Sequence, residues 1–153
     1  MKPLNELKLT LWSKSTNESF SRVAVAAFLS QLDPTIEEIN DIKTAVSEAV
    51  TNSIIHGYPT HNGSVYLHAH ITGNGMLEVS IQDQGVGIAD IAQAMQPFFS
   101  SDPCGERSGM GFTVMKSFMD HVQVSSDVHS GTTVHMRKQI TQPQDLPAPL
   151  LVF

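Results

Sequence analysis

The stretch from Thr35 to Tyr58, TIEEINDIKTAVSEAVTNSIIHGY, decides the fold of this 153-residue chain. Five apolar residues recur along it at the spacing of one helix face: Ile39, Ile42, Val46, Val50 and Ile54. Such a stripe packs against a hydrophobic core. Thr35 is followed three residues later by Glu38, which is the arrangement of a capping box. The pattern therefore predicts a long amphipathic helix that begins at Thr35 and ends at Gly57, a natural helix stop.

The residues before this helix predict one strand and one further helix. From Leu7 to Trp12 a leucine occupies every second position, which is the period of a half-buried strand. Apolar residues at helical spacing predict a helix from about Glu18 to Leu32. Asp33-Pro34 ends that helix, because the residue before a proline is pushed out of the helical conformation.

The residues after the long helix predict two pairs of strands separated by helices. The runs Ser64–Thr72 and Met76–Asp83 flank Gly73-Asn74-Gly75, a hairpin-turn sequence. The other predicted elements are a short helix at 91–95, an irregular loop at 96–108, a helix at 110–120 and strands at 122–126 and 132–138. This order predicts an α+β fold, a two-layer sandwich with helices on one face of a mixed, mostly antiparallel sheet. We expect one domain over residues 1–140 and a C-terminal tail over 141–153.

Composition narrows the class of protein. Hydrophobic residues make up 41% of the chain, enough for one core, and fifteen acidic residues outnumber nine basic ones. This balance argues against direct nucleic-acid binding, because phosphate neutralisation needs clustered Lys and Arg. The single cysteine, Cys104, excludes an intrachain disulfide and a multi-cysteine zinc site. No apolar run approaches the roughly 20 residues of a membrane span, and the start lacks a signal-peptide pattern. We therefore predict a cytoplasmic protein without a membrane partner.

Glu48 and Asn52 are the first candidate functional residues. They lie four residues apart and so share one face of the long helix, away from its apolar stripe. This face is either a solvated helix surface or one wall of a cleft. In a cleft, the asparagine carbonyl oxygen suits Mg²⁺ and the carboxylate could act as a general base.

Two glycine-containing motifs follow. Asp83-Gln84-Gly85-Val86-Gly87 comes directly after a predicted strand, and is either a strand-ending turn or a site where a carboxylate binds an exocyclic amine such as that of adenine. Ser108-Gly109-Met110-Gly111-Phe112 begins a predicted helix, whose N-terminal N–H groups favour anions. Arg107 adds a cation suited to phosphate. The chain has no P-loop sequence, and the second motif is otherwise a flexible loop that caps a helix.

The order of these motifs, followed by Gly131-Thr132-Thr133, resembles the Bergerat ATP-binding fold that gyrase, Hsp90, MutL and histidine kinases (GHKL) share. The segments Glu48–Tyr58 and Glu106–Phe112 more closely resemble the serine kinases that act as anti-sigma factors. Asn17-Glu18-Ser19-Phe20 with Arg22, and Gln31–Thr35, are similar to the sporulation branch of that family. The resemblance extends from about residue 7 to residue 140.

The resemblance implies a role for each candidate residue. Asn52 would hold Mg²⁺ against the phosphates, and Glu48 would be the catalytic base that takes the proton from a serine hydroxyl. Asp83 would bind the adenine amine, with Thr133 nearby, and Arg22 would lie on the partner-binding surface. The other nucleotide-binding residues would be Gly85, Gly87, Arg107, Gly109 and Gly111. Residues 97–108 would form a lid.

The resemblance also implies a function. The chain would be an ATP-dependent protein-serine kinase that binds and inhibits a sporulation sigma factor of RNA polymerase, sigma F, and phosphorylates an anti-anti-sigma protein on serine. ATP would favour the sigma complex and ADP the complex with the antagonist. A homodimer would form through the N-terminal strand. Two alternatives remain open: a general-stress kinase of the same family, and a nucleotide-gated binding module without transferase activity.

Overall fold

The computed structural model describes residues 3–97 and 110–141. The elements in chain order are β1 Asn5–Trp12, α1 Ser15–Leu29, α2 Ile36–Asn52, β2 Ser64–Ile71, β3 Met76–Asp83, α3 Ile91–Ala94, α4 Gly111–Phe118, β4 His121–Asp127 and β5 Gly131–Gln139. A 3₁₀ turn, Ser30–Leu32, extends α1, and a π-helical turn, Ser53–Gly57, extends α2. Every helix and strand predicted from the sequence within these ranges is present. The predicted first helix begins three residues earlier than expected, at Ser15.

The five strands form one sheet in the order β1-β2-β3-β5-β4. Each neighbouring pair is antiparallel, whereas the sequence analysis expected a mixed sheet. β3 and β4 run in the same direction, and a helical connection joins them. In the sheet, however, β5 lies between these two strands. β5 returns from β4 through a short hairpin and pairs with both of them, so no parallel strands are adjacent. The α+β sandwich itself is confirmed.

The helices cover one face of the sheet and leave the other partly exposed to solvent. The covered face carries the alternate residues of the central strands, such as Val65, Leu67 and Val79, which are fully or almost fully buried. They pack against buried residues of the helices, including Val25 on α1 and Val46 on α2. The remaining alternate residues form the second face, which we call the open face. The period of two in the strands therefore determines which side chains can approach the helices.

The boundaries of α2 follow from its sequence. The Thr35 hydroxyl accepts a hydrogen bond from the Glu38 backbone N–H at 3.1 Å, and the Glu38 carboxylate accepts one from the Thr35 N–H at 2.9 Å. The predicted capping box is therefore confirmed. Just before it, Asp33 has φ 49°, in the left-handed region, which turns the chain sharply between the two helices.

The Glu38 carboxylate also connects the segment that follows β5 to the first turn of α2 through hydrogen bonds. Its second oxygen accepts hydrogen bonds from the N–H and hydroxyl of Thr141, at 2.8 and 3.0 Å, just after β5. Burial raises the pKa of Glu38, but hydrogen bonds from Thr35 and Thr141 outweigh this effect and hold the pKa below its ordinary value of 4.5.

We expect Glu38→Gln to lower the free energy of unfolding by about 1–2 kcal/mol at neutral pH, because the amide cannot accept all of these hydrogen bonds. A lowered folded-state pKa means that the stabilisation is fully present above pH 4.5 and is lost as the pH falls through the folded-state value. Urea unfolding from pH 7 to pH 3 measures this difference. Glu37→Gln, at an exposed position of the same helix turn, is the control. A wild-type advantage that persisted at pH 3 would contradict the assignment.

Two further expectations concern membrane-spanning helices and the C-terminal tail. Among residues 3–97 and 110–141, no helix is long and apolar enough to cross a membrane. All but the first residue of the expected tail, 142–153, lies outside the described ranges, so the boundary at residue 140 stays a prediction.

Candidate functional site

The site is built around Asp83, the last residue of β3. Its side chain is only 3% exposed, and one carboxylate oxygen accepts hydrogen bonds from the N–H groups of Gly85, at 3.0 Å, and Thr132, at 3.2 Å. The Ser53 side chain provides a third hydrogen bond. Burial raises the pKa of Asp83, and these three hydrogen bonds oppose that rise. The protein thus holds a carboxyl group in a fixed orientation where β3, β5 and the end of α2 meet.

The π-helical turn at the end of α2 brings the backbone against this carboxyl group. A Cβ placed on Gly57 would lie 2.9 Å from the Asp83 Cγ, so only glycine allows this approach. The Gly57 carbonyl also accepts a hydrogen bond from the Val86 N–H at 3.0 Å. Ser53 lies on the buried side of α2, four residues after Ala49, and the π turn that begins at Ser53 contacts β3. The sequence predicts a helix that stops at Gly57 but carries no signal for the π turn.

The glycines of the 83–87 motif pack against the chain itself. A Cβ on Gly85 would lie 1.9 Å from the Gly57 carbonyl oxygen, closer than any side chain allows. Gly87 has φ 76°, and a Cβ there would lie 2.2 Å from the Asp127 carbonyl oxygen. Both residues therefore have a structural reason to be glycine that is independent of any ligand.

Glu48 and Asn52 face the first turn of α4. A Cβ on Gly111 would lie 3.2 Å from the Glu48 Oε2 and 3.3 Å from the Asn52 Nδ2. Both side chains are half-buried, which favours the wall of a cleft over a solvated surface. The structure thus brings together three of the predicted site residues, and the peptide bond between Asn52 and Ser53 links them to the Asp83 cluster.

Thr133 does not lie beside Asp83. It pairs with Gln82 on β3 and lines a cavity of about 410 Å³ on the open face, together with Tyr66 and Ser80. The adjacent residue, Thr132, lies on the covered side: its N–H binds Asp83, and its hydroxyl is 2.8 Å from the Ser126 hydroxyl. The structure thus places Thr133 on the opposite face of the sheet from Asp83 and not near it as expected, because successive side chains of a strand point to opposite faces.

Arg22 lies outside this cluster, on α1. Its guanidinium is 3.9 Å from the Glu18 carboxylate, and its side chain is 41% exposed. The same Glu18 carboxylate accepts a hydrogen bond from the Ser47 hydroxyl on α2, next to Glu48. Arg22 is thus a partly exposed surface residue connected through Glu18 to the helix that carries the candidate base.

Some predicted residues cannot be placed. Arg107, Gly109 and residues 98–108 of the expected lid lie outside the described ranges. Within the ranges that are described, no group of three or more His, Cys, Asp or Glu side chains is arranged to hold a metal ion. A magnesium ion carried by a nucleotide needs few protein ligands, because phosphate and water oxygens complete its octahedron. The half-buried Asn52 amide beside the start of α4 fits that requirement.

The fold and this arrangement of residues define an ATPase domain of the histidine kinase-like class. Residues 12–138 match the model of the histidine kinase-like ATPase domain family. The chain also resembles the RsbU and RsbW domains of Rv1364c from Mycobacterium tuberculosis, with a TM-score of 0.67 at 21% identity. That match covers 92% of this chain and 33% of the other, and shows the fold alone.

Relatives that match over nearly their whole length identify the family within this class. The chain is 54% identical over 143 residues to the anti-sigma F factor of Geobacillus sp. (strain WCH70), covering 93% of this chain and 97% of that protein. It is 56% identical over 134 residues to the anti-sigma F factor of Clostridium kluyveri (strain NBRC 12016), covering 88% and 94%. The chain therefore belongs to the anti-sigma F factor family, which agrees with the resemblance to the sporulation branch.

Proposed function

We propose that this chain is an ATP-dependent protein-serine kinase that binds and inhibits sigma F and phosphorylates the anti-anti-sigma antagonist on serine. One observation carries the proposal: α2 places Asn52 and Glu48 one turn apart on one helix face, and Ser53, the residue after Asn52, contacts Asp83. Five residues of helix span about 7.5 Å. A nucleotide whose base contacts Asp83 can therefore extend its phosphates along α2 towards Asn52 and Glu48.

The base end of the proposed site is Asp83. Its carboxylate oxygens accept hydrogen bonds, and an adenine exocyclic amine is a donor. Thr132, with its hydroxyl beside that of Ser126, takes the place that the sequence analysis gave to Thr133. The three hydrogen bonds already made to Asp83 keep the carboxylate oriented for the base.

At the phosphate end, Asn52 would hold Mg²⁺ through its side-chain oxygen, and the ion would supply charge neutralisation to the phosphates. The N–H groups at the start of α4 would bind phosphate oxygens, and a Cβ on Gly111 would lie 3.2 Å from Glu48 Oε2 and 3.3 Å from Asn52 Nδ2. Arg107, Gly109 and the lid would complete this end. Gly85 and Gly87 would let the nucleotide approach the backbone on the side away from their packing contacts.

Glu48 is the proposed catalytic base. The attacking serine oxygen of the protein substrate forms a bond to the γ-phosphorus as the bond to the ADP oxygen breaks, and Glu48 takes the serine proton. Asn52 and the start of α4 would hold the Mg-nucleotide so that its γ-phosphorus faces the serine hydroxyl beside Glu48. Because the second substrate is a folded protein that docks on the outside, the chain needs no deep pocket for it.

The proposed partners are sigma F, the antagonist and a second copy of this chain. In the described part of the sheet β1 is an edge strand that pairs on one side with β2. Its outward-facing backbone groups are available for strand pairing, which supports the homodimer.

Transfer of labelled γ-phosphate to the purified antagonist tests the proposal. We expect serine phosphorylation that requires Mg²⁺, together with capture of sigma F in the presence of ATP and of the antagonist in the presence of ADP. ATP-dependent capture of sigma F without any phosphate transfer would contradict the kinase activity. The protein would then be a nucleotide-gated binding module.

We expect Arg22→Ala to weaken sigma F and antagonist binding about tenfold or more while ATP affinity stays within twofold of wild type. The guanidinium is partly exposed and contacts Glu18, so its loss removes a surface charge without disturbing Asp83 or Asn52. Pull-down titrations and calorimetry measure the two affinities. Arg137→Ala is the control, because Arg137 lies on β5 and its side chain belongs to the open face. A loss of ATP affinity in Arg22→Ala with unchanged partner binding would refute the role.

A further inference from the structure

Tyr58 is a buried residue that no part of the proposed mechanism uses. It follows the π turn directly and is 7% exposed. Its hydroxyl donates a hydrogen bond to the Ser64 carbonyl, at 2.7 Å, and accepts one from the Gln84 N–H, also at 2.7 Å. A single side-chain oxygen thus joins the start of β2 to the turn that follows β3.

The ring of Tyr58 is held in place on two sides. A Cβ on Gly63 would lie 2.3 Å from the ring carbon Cε1, so the backbone of the 58–64 loop lies directly on the ring. The His61 ring packs edge-on against it, with 5.8 Å between the centroids. A hydroxyl on so constrained a ring has little freedom to follow its partners if they move.

The second partner, the Gln84 N–H, belongs to the peptide bond between Asp83 and Gln84. Asp83 in turn depends on the same turn, because it accepts a hydrogen bond from Gly85, the next residue. The hydroxyl of Tyr58 therefore fixes the peptide plane that carries the Asp83 side chain. Without it, the Gln84 N–H loses its partner at a part-buried position, and the free-energy cost of that unpaired group favours a shift of the turn towards another acceptor.

We infer that Tyr58 is a positioning residue that sets the selectivity of the site for adenine over guanine nucleotides. The inference rests on the proposed role of Asp83. Where adenine presents an amine donor, guanine presents a carbonyl acceptor, which a fixed carboxylate repels. When this turn shifts, the Gly85 hydrogen bond, one of the three that orient Asp83, is weakened, and a carboxylate held by fewer hydrogen bonds binds adenine less well and rejects guanine less strictly. Tyr58 thus acts on the base through Gln84 and Asp83, without touching it.

Tyr58→Phe keeps the ring and removes the hydroxyl, and Tyr66→Phe is its matched control. Tyr66 is the other tyrosine of the chain and lines the open-face cavity. Calorimetry with Mg-ATP and with Mg-GTP should show about a tenfold loss of ATP affinity in Tyr58→Phe, or about 1.4 kcal/mol, and a fall in the ATP-to-GTP affinity ratio that is at least as large. In phosphate transfer, KM for ATP should rise about tenfold while kcat at saturating ATP stays unchanged. Tyr66→Phe should match wild type in every measurement.

A Tyr58→Phe protein with a lowered melting temperature but an unchanged ATP-to-GTP ratio would overturn the inference, since Tyr58 would then be structural only. If this variant does not fold, 3-fluorotyrosine incorporated in the Tyr66→Phe background replaces it. Fluorine weakens the hydroxyl as an acceptor, so the ratio should still fall, and an unchanged ratio would again overturn the inference. Failure of the wild-type protein to bind Mg-ATP would instead overturn the proposed function itself.

Discussion

Asn52→Ala should abolish measurable Mg-ATP binding, with a loss of at least a hundredfold in affinity, equivalent to about 2.7 kcal/mol. The alanine removes the side-chain oxygen proposed to hold Mg²⁺, and the phosphate charge then lacks the protein contact that fixes the ion. Because Asn52 is half-buried beside Gly111, the truncation also leaves a gap next to the first turn of α4. Isothermal titration calorimetry with and without Mg²⁺ measures the effect.

Asn40→Ala is the matched control for this prediction. Asn40 lies on the same helix but is exposed, and its replacement should leave Mg-ATP affinity unchanged. The two variants should differ little in Mg²⁺-free ATP binding, because the Asn52 side chain acts through the metal. Equal Mg-ATP affinity in Asn52→Ala and wild type would contradict the proposal that the Asn52 side chain holds Mg²⁺.

Glu48→Gln should lower the rate of phosphate transfer by about a thousandfold while leaving ATP affinity within twofold of wild type. General-base catalysis contributes about 10²- to 10⁴-fold in enzymes, and glutamine keeps the shape of the side chain but cannot take the serine proton. Glu48 Oε2 would lie 3.2 Å from a Cβ on Gly111, so the carboxyl group is close to the helix start where the γ-phosphate would lie.

Single-turnover transfer to the antagonist separates chemistry from binding in this variant. Glu37→Gln, at an exposed position of α2, should transfer phosphate at the wild-type rate. Transfer at an undiminished rate in Glu48→Gln would mean that another group takes the proton. A parallel loss of ATP affinity would mean that Glu48 acts in nucleotide binding.

The elements of the fold that are set by local rules could be predicted from the sequence. The boundary of α2 at Thr35 depends on two reciprocal hydrogen bonds within four residues, and its buried face depends on a repeat that is visible in the sequence. The β2–β3 hairpin likewise needs only two alternating runs and a short turn. The strand order was not accessible in this way, because the position of β5 between β3 and β4 depends on contacts far apart in the sequence.

In the candidate site, too, some residues follow from local sequence patterns and others depend on contacts far apart in the sequence. Glu48, Asn52 and Asp83 could be proposed from residue type and position. Ser53 could not, because its contact with Asp83 depends on where β3 packs against α2, which no local sequence pattern encodes. The sequence does carry a signal for Thr132: Val134 and Met136 are the apolar residues of β5, so the side chain that shares their face is that of Thr132 and not that of Thr133.

The glycines illustrate a limit of reasoning from motifs. Gly85 and Gly87 were predicted as residues that let a nucleotide approach, yet each has protein backbone within 2.2 Å of the position of a Cβ. A glycine required for packing and a glycine required for a ligand look identical in a sequence. Gly131 gives a third example within the same cluster, because a Cβ there would lie 2.0 Å from the Asp83 carbonyl oxygen.

A crystal structure of the protein with Mg²⁺ and a non-hydrolysable ATP analogue tests the central claim most directly. The account predicts the adenine amine about 3 Å from an Asp83 carboxylate oxygen and the magnesium ion about 2.1 Å from the Asn52 side-chain oxygen. The γ-phosphate should lie between Glu48 and the start of α4. An analogue bound elsewhere on the chain, or bound with Asn52 directed away from the metal and Asp83 away from the base, would contradict it.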